Sequence, residues 1–248
     1  MSPEYSLLTP EEQDELELTA LARQRLEEQY ENLEQQHETA ALGMWVFLAT
    51  EVMFFGTLFL ALGVYRYLYP APFERASEKL NWIIGGTNTV VLLVSSLMMV
   101  LAVHYARLGE HKRLVRFLSF TAILGLVFLV FKGFEYYIDY RDNLIPGWKF
   151  DEQEWVREHG LAADEVPQVK LFLLFYWIMT LTHALHVTIG IGVIAVMIVL
   201  ARRGHFSQTY YSPIDVTGLY WHFVDIVWIF LLPMLYLLGT HTVQDFHL

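Results

Sequence analysis

Five stretches of this chain, at about residues 42–66, 81–104, 115–138, 170–200 and 216–239, are each long and apolar enough to cross a lipid bilayer. A hydrocarbon core needs about 20 consecutive helical residues. Backbone N–H and C=O groups find no partner in lipid, so spans of this length must pair their backbone internally as helices. The expected fold class is therefore all-α: a polytopic membrane helix bundle with five transmembrane helices. A hydrophobic share of 55% in 248 residues and a mean hydropathy of +0.36 agree, being too apolar for a soluble domain.

The formal charge of −11 excludes nucleic acid as a partner, because phosphate binding needs a basic surface. With no cysteine, disulfides, thiolate metal sites and cysteine nucleophiles are excluded as well. Met1 to Glu17 is acidic and lacks the basic, then apolar, layout of a cleaved signal peptide. The first span is expected to act as its own insertion signal.

Two regions follow from the charge pattern: an acidic N-terminal segment, 1–40, and a five-helix transmembrane domain, 41–248. Thr9-Pro10-Glu11-Glu12 reads as a capped helix start, with a polar helix expected from there to about His37. That helix is either a solvated surface element or a docking element for a partner. The connections are short except for 139–169, whose Asp139, Asp142, Asp151, Glu152, Glu154, Glu158, Asp164 and Glu165 predict a water-exposed cap. Lysine and arginine mark cytoplasmic loops. Arg107, Lys112, Arg113 and Arg116 follow the second span, and Arg202 and Arg203 follow the fourth. The N-terminus, with the acidic segment, is thus expected inside and the C-terminus outside. Tyr65, Tyr67, Tyr69, Trp82, Tyr136, Tyr137 and Tyr140 gather at the opposite ends as an aromatic belt.

Ionisable side chains at membrane depth are costly, which makes each a functional candidate. Glu51 sits in an apolar helix with no basic residue within two turns. It is either a carboxyl bonded to a neighbouring helix or a proton- or lipid-linked group. His222 and Asp225, three apart on the fifth span, can bond one another or a shared partner. At a rise of about 1.5 Å per residue, Glu51 and Asp225 each lie about 14 Å in from the cytoplasmic ends of their spans. They can face each other at one depth, and Glu51 is expected to join Asp225 and His222 in a hydrogen-bonded group between those helices, or to meet a lipid headgroup reached from the cytoplasmic side. His183 and His186 on the fourth span are expected to bond between helices, and Gly190 beyond them to permit close helix approach. Gly85, Asn88, Ser95 and Ser96 trace a small, polar packing face. Lys132 and Glu135 are expected to pair or to snorkel near an outer end. Di-iron bundles use Glu-x-x-His pairs with further glutamates; here the pairs run His-x-x-His and His-x-x-Asp. No residue is assigned to catalysis, to a metal or to a redox cofactor.

These segments together resemble cytochrome c oxidase subunit III. Gly43 to Phe55 resembles the family's third helix, in which a buried glutamate reactive toward hydrophobic carbodiimides falls at Glu51. Asn88 to Ser96 and Phe134-Glu135-Tyr136-Tyr137 resemble the next two helices. Thr182 to Gly190 and Tyr220 to Trp228 resemble the last two, the final segment being the most specific. The resemblance implies an accessory, non-catalytic subunit of a respiratory haem-copper oxidase. It implies that haem and copper reside in partner subunits, above all in oxidase subunit I, that membrane phospholipid is bound, and that proton uptake and catalytic-site lifetime are supported. The place it implies is the bacterial cytoplasmic membrane. Longer family members carry two further helices first, and their lipid-holding cleft lies between that pair and the remaining five. Here the acidic segment 1–40 stands in their place.

Five-helix forms also occur in quinol oxidases and in proteins associated with nitric oxide reduction, so cytochrome c and quinol both stand as electron donors. An independent proton-linked transporter or channel built on Glu51 is the reading from another class. It calls for internal repeats with broken helices at the midplane, and none is visible.

Overall fold

The computed structural model describes residues 9, 33–147, 150, 155–157, 162–208 and 210–237. Among these residues six helices carry the fold: α1 (Leu33–Leu68), α2 (Pro70–Glu78), α3 (Trp82–Arg107), α4 (His111–Arg141), α5 (Val166–Arg202) and α6 (Ser212–Tyr236). A single 3-10 turn, Ala163–Glu165, leads into α5. All but α2 are long and apolar enough to cross a membrane. Five spans stand where five were expected; α1, α4, α5 and α6 begin earlier than hydropathy alone suggested, at Leu33, His111, Val166 and Ser212, and α3 begins at Trp82. Leu33 to His37 belongs to α1; the start of the polar helix at Thr9-Pro10 lies outside the described residues.

Local chemistry sets the helix starts. Asn81 caps α3 by accepting from the amides of Ile83 and Ile84 at 3.1 and 3.2 Å. Prolines occupy the first turns of α2, α5 and α6, where an amide would have no helical partner. Gly109, at φ +72°, closes the turn between α3 and α4 against the Gln208 side chain, so α3 and α4 form an antiparallel pair.

The centre of the bundle is α6, which packs on α1, α3 and α5. Its apolar window is 56% buried, against 17–28% for the other four spans. Trp221 interlocks the helices. Its indole N–H donates to Ser95 Oγ on α3 at 3.2 Å. Its ring edge fills the places where a Cβ on Gly125 of α4 or Gly190 of α5 would sit, at 2.8 and 2.9 Å. The close approach expected at Gly190 is thus made by an aromatic edge. One helical pair of turns further along, Trp228 donates to Thr89 Oγ1 and packs on Phe128. At the outer end α2 lies across the bundle, where Ser77 donates to the Leu235 carbonyl at 2.7 Å, one of the carbonyls that the end of α6 leaves unpaired.

By contrast, α1 stands at the edge. Its buried residues are Leu48, Phe55 and Leu62, a single seven-residue stripe. Elsewhere it exposes Val46, Met53, Leu60 and Tyr67, as α4 exposes Ile123 and Val130 and α5 exposes Leu185 and Val196. A bundle with apolar residues facing outward and its polar residues gathered inside is solvated by lipid.

Candidate functional site

Glu51 finds its partner on α5. Its Oε2 lies 3.2 Å from Nε2 of His186. The other ring nitrogen, Nδ1, is 2.8 Å from the Thr182 carbonyl one turn back. A carbonyl only accepts, so Nδ1 carries the proton. The bond to Glu51 then needs one more proton, either on the carboxyl and donated to Nε2, or on Nε2 and donated to the carboxylate. Both forms carry zero net charge, which is how two ionisable groups can stand together in apolar surroundings. Phe55 meets the imidazole edge-on at 5.5 Å, and Tyr220 donates to the His186 carbonyl at 3.0 Å. The expected meeting of Glu51 with Asp225 or His222 is therefore corrected. Equal depth brought the groups to one level, but α6 turns His222 and Asp225 toward α3 instead.

On that side Nδ1 of His222 is 2.7 Å from Ser96 Oγ. His222 and Asp225 make no bond to each other. Asp225 is 3% exposed, and neither carboxyl oxygen has a hydrogen bond of good geometry. The Ser96 hydroxyl stands beside Asp225 as well, so it is the neighbour the two residues share. Buried carboxyl oxygens of this kind are ordinarily satisfied by water or by their own proton.

His183 departs from expectation. It is 1% exposed, neither ring nitrogen is hydrogen-bonded, and the ring packs against Trp228 at 5.1 Å and Phe128 at 5.5 Å. Residues three apart on a helix differ by about 60° in direction, enough for His186 to meet α1 while His183 enters the core. Among the described residues no group of three or more histidines and carboxylates is placed to hold a metal ion.

The family model described as cytochrome c oxidase subunit III matches residues 168–240, which take in most of α5 and all of α6. Cytochrome c oxidase subunit 3 of Synechocystis sp. is 31% identical over 197 residues, covering 79% of this chain and 74% of that protein. The probable quinol oxidase subunit 3 of Staphylococcus haemolyticus is 29% identical over 200 residues, covering 80% and 88%. That of Staphylococcus epidermidis is 30% identical over 206 residues, covering 82% and 90%. This chain belongs to the cytochrome c oxidase subunit III family. It is a multi-pass membrane protein of a family whose members are accessory, non-catalytic subunits of haem-copper oxidases.

One cluster of this subunit III was missed in the sequence. Lys132 on α4 is 1% exposed. Its ammonium donates to Glu135 Oε2 at 3.1 Å, to Tyr176 Oη at 3.2 Å and to Tyr236 Oη at 2.6 Å. All three of its donors are used. Tyr236 donates onward to Glu135 Oε1, and Tyr176 to Asp139 Oδ2, each at 2.6 Å. The rings of Tyr136, Tyr176, Tyr236 and Trp228 surround the ammonium at 4.8–5.5 Å. Lys132 pairs with Glu135 as expected but does not snorkel. Asp139, expected in a water-exposed loop, is 4% exposed inside the helix. The signal was present: Lys132, Glu135, Tyr136 and Asp139 follow the three-and-four spacing of a single helix face.

Proposed function

We propose that this chain stands beside the haem-copper catalytic subunit, subunit I, in the bacterial cytoplasmic membrane, and supports proton uptake and the working lifetime of the catalytic site. The N-terminus with the acidic segment 1–40 lies inside and the C-terminus outside. Haem and copper are held by partner subunits and none by this chain. What supports a proton-linked role is the Glu51–His186 pair, which holds one transferable proton between α1 and α5 at membrane depth. His222 and Asp225 around Ser96 form a second polar group that α6 holds against α3. The relatives include subunits of cytochrome c and of quinol oxidases, and both donors fit this reading.

The test is purification of the tagged chain in mild detergent. A large haem-containing membrane subunit should travel with it, and elemental analysis of the chain separated from that partner should find no stoichiometric metal. In the assembled complex, Glu51→Gln preserves the bond to His186, since an amide N–H can donate to Nε2, but removes the transferable proton. The expected result is unchanged initial oxygen reduction with fewer turnovers before inactivation. Complete and immediate loss of oxygen reduction in that variant would place Glu51 in the chemistry and overturn the accessory role.

A further inference from the structure

We infer that the cavity enclosed by α1, α3 and α6 is a binding site for a lipid-soluble para-quinone, or its hydroquinone, held by a hydrogen bond at each of its two ring oxygens. The cavity measures about 430 Å³, within the range of pockets that bury a small ligand. The inference rests on reading this subunit III as embedded in a membrane, and it assigns no electron transfer to the chain.

The charges at the mouth cancel. Arg107, at the end of α3, donates from Nη2 to both Asp215 oxygens at 3.2 and 3.3 Å, and its guanidinium lies 5.7 Å from the centre of the Tyr211 ring. His37 Nε2 stands 3.9 Å from the same carboxylate. A charged head therefore finds no net charge to pair with, while a neutral one finds the imidazoles of His37 and His104, each able to donate or accept. At the floor, His222 lines the cavity, with its Nδ1 2.7 Å from Ser96 Oγ. Among the described residues its Nε2 makes no hydrogen bond. If Ser96 donates to Nδ1, Nε2 carries the proton and donates to a quinone carbonyl; in the other tautomer Nε2 accepts from a hydroquinone hydroxyl. One site thus suits both forms.

Between mouth and floor the walls are apolar, made by Val100 and Val103 of α3 and by Val216 and Leu219 of α6. His222 lies seven residues beyond Asp215, about 10 Å along α6. A para-dioxygenated ring with a hydrogen bond of about 2.8 Å at each oxygen spans a similar length, about 11 Å from partner to partner. A single-headed amphiphile would meet the mouth and lay a hydrocarbon chain against the His222 imidazole, and a hydrated solute would set the valines against water. The rigid ring meets both polar ends and the walls between them. The face of α3 that carries Val100 continues as exposed Leu97 and Leu93, an open side along which an isoprenoid tail reaches the lipid.

The test is photolabelling of the haem-containing complex with an azido-substituted ubiquinone, followed by mapping of the modified peptides. Label should enter residues 100–107 of α3 or 215–222 of α6, and decylubiquinone should compete for it while phosphatidylcholine and oleyl alcohol should not. Val100→Trp fills the cavity and should abolish labelling of this chain. His222→Leu should weaken competition by decylubiquinone about three- to ten-fold, the worth of one hydrogen bond. His222→Gln, whose amide can still donate or accept, should restore most of it; the ratio of this chain to haem checks assembly. Label confined to other subunits would overturn the inference, as would equal labelling of wild type and Val100→Trp or unaltered competition in His222→Leu. Displacement by phosphatidylcholine or oleyl alcohol as effective as that by decylubiquinone would overturn it as well, and this arm needs the wild type alone. Absence of haem from the preparation would instead overturn the oxidase reading, and the label per chain would still decide the cavity.

Discussion

The Glu51 carboxyl on α1 lies 3.2 Å from Nε2 of His186 on α5, and it does so on the helix with the least hold on the bundle. The fully buried residues of α1 are Leu48, Phe55 and Leu62 alone, so one interhelical hydrogen bond weighs more here than in the interior. Glu51→Ala and His186→Ala should each loosen α1, and the double variant should be less destabilised than their sum. A coupling of about 0.6–2 kcal/mol is expected for a bond of this kind within a membrane. Thermal unfolding of the four proteins in one detergent measures it. Strictly additive effects would show that the two groups do not act together.

Gly125 and Gly190 are occupied, in effect, by the edge of Trp221. A methyl at either position would stand 2.8 or 2.9 Å from an indole carbon, well inside contact distance. Gly125→Ala and Gly190→Ala should each cost about 1–3 kcal/mol through forced repacking. Gly56 on α1 has open space where its Cβ would be, and Gly56→Ala should leave stability unchanged or slightly raised. Midpoints of thermal inactivation in detergent order the three variants; an equal response at Gly56 and Gly125 would contradict the wedge.

The number of spans and their approximate places were legible because lipid imposes a length and an apolarity that few other contexts demand. The partners of the polar groups were not. Hydropathy reports how deep a residue sits but not which way it points when the outward faces are as apolar as the inward ones. Depth therefore put Glu51 level with Asp225, while rotation about the axes sent Glu51 to His186 and His222 to Ser96. Asp139 was misread for a related reason. Charge near a span end looks like a loop, yet α4 continues to Arg141 and carries Asp139 inward toward Tyr176. Tyr176 and Tyr236 could not be assigned beforehand, since their hydroxyls matter only once α4, α5 and α6 are brought together.

Orientation rests on the basic loops. Arg107, Lys112, Arg113, Arg116, Arg202 and Arg203 all lie at one end of the bundle, the end that the positive-inside bias predicts on the cytoplasmic side. Reporter fusions at Gly109 and Gly204 should read cytoplasmic, and one after Leu248 external. A cytoplasmic signal from the Leu248 fusion would require the opposite orientation or another span.

Lys132 is the single cation in a buried cluster with two carboxylates. Glu135 accepts from Lys132 at 3.1 Å and from Tyr236 at 2.6 Å, and the Tyr176 hydroxyl stands between the two carboxylates, 2.6 Å from Asp139 Oδ2 and 3.2 Å from Glu135 Oε1. Removing the ammonium while keeping the shape, as in Lys132→Met, leaves Glu135 and Asp139 facing each other across the tyrosines with no counter-charge. Breaking a buried pair in this way costs about 3–5 kcal/mol, because the remaining charge is left uncompensated. Removing the charges together should cost far less. Lys132→Met with Glu135→Gln keeps an acceptor and a donor for Tyr236 and Tyr176, and should recover most of the loss; adding Asp139→Asn should not worsen it. The readouts are the yield of folded chain and the thermal midpoint in detergent, compared across the single, double and triple variants. If Lys132→Met alone matches the wild type, the cluster does not hold α4, α5 and α6 together. If the double variant is as unstable as the single one, the loss comes from packing of the lysine stem against its aromatic cage rather than from an orphaned charge.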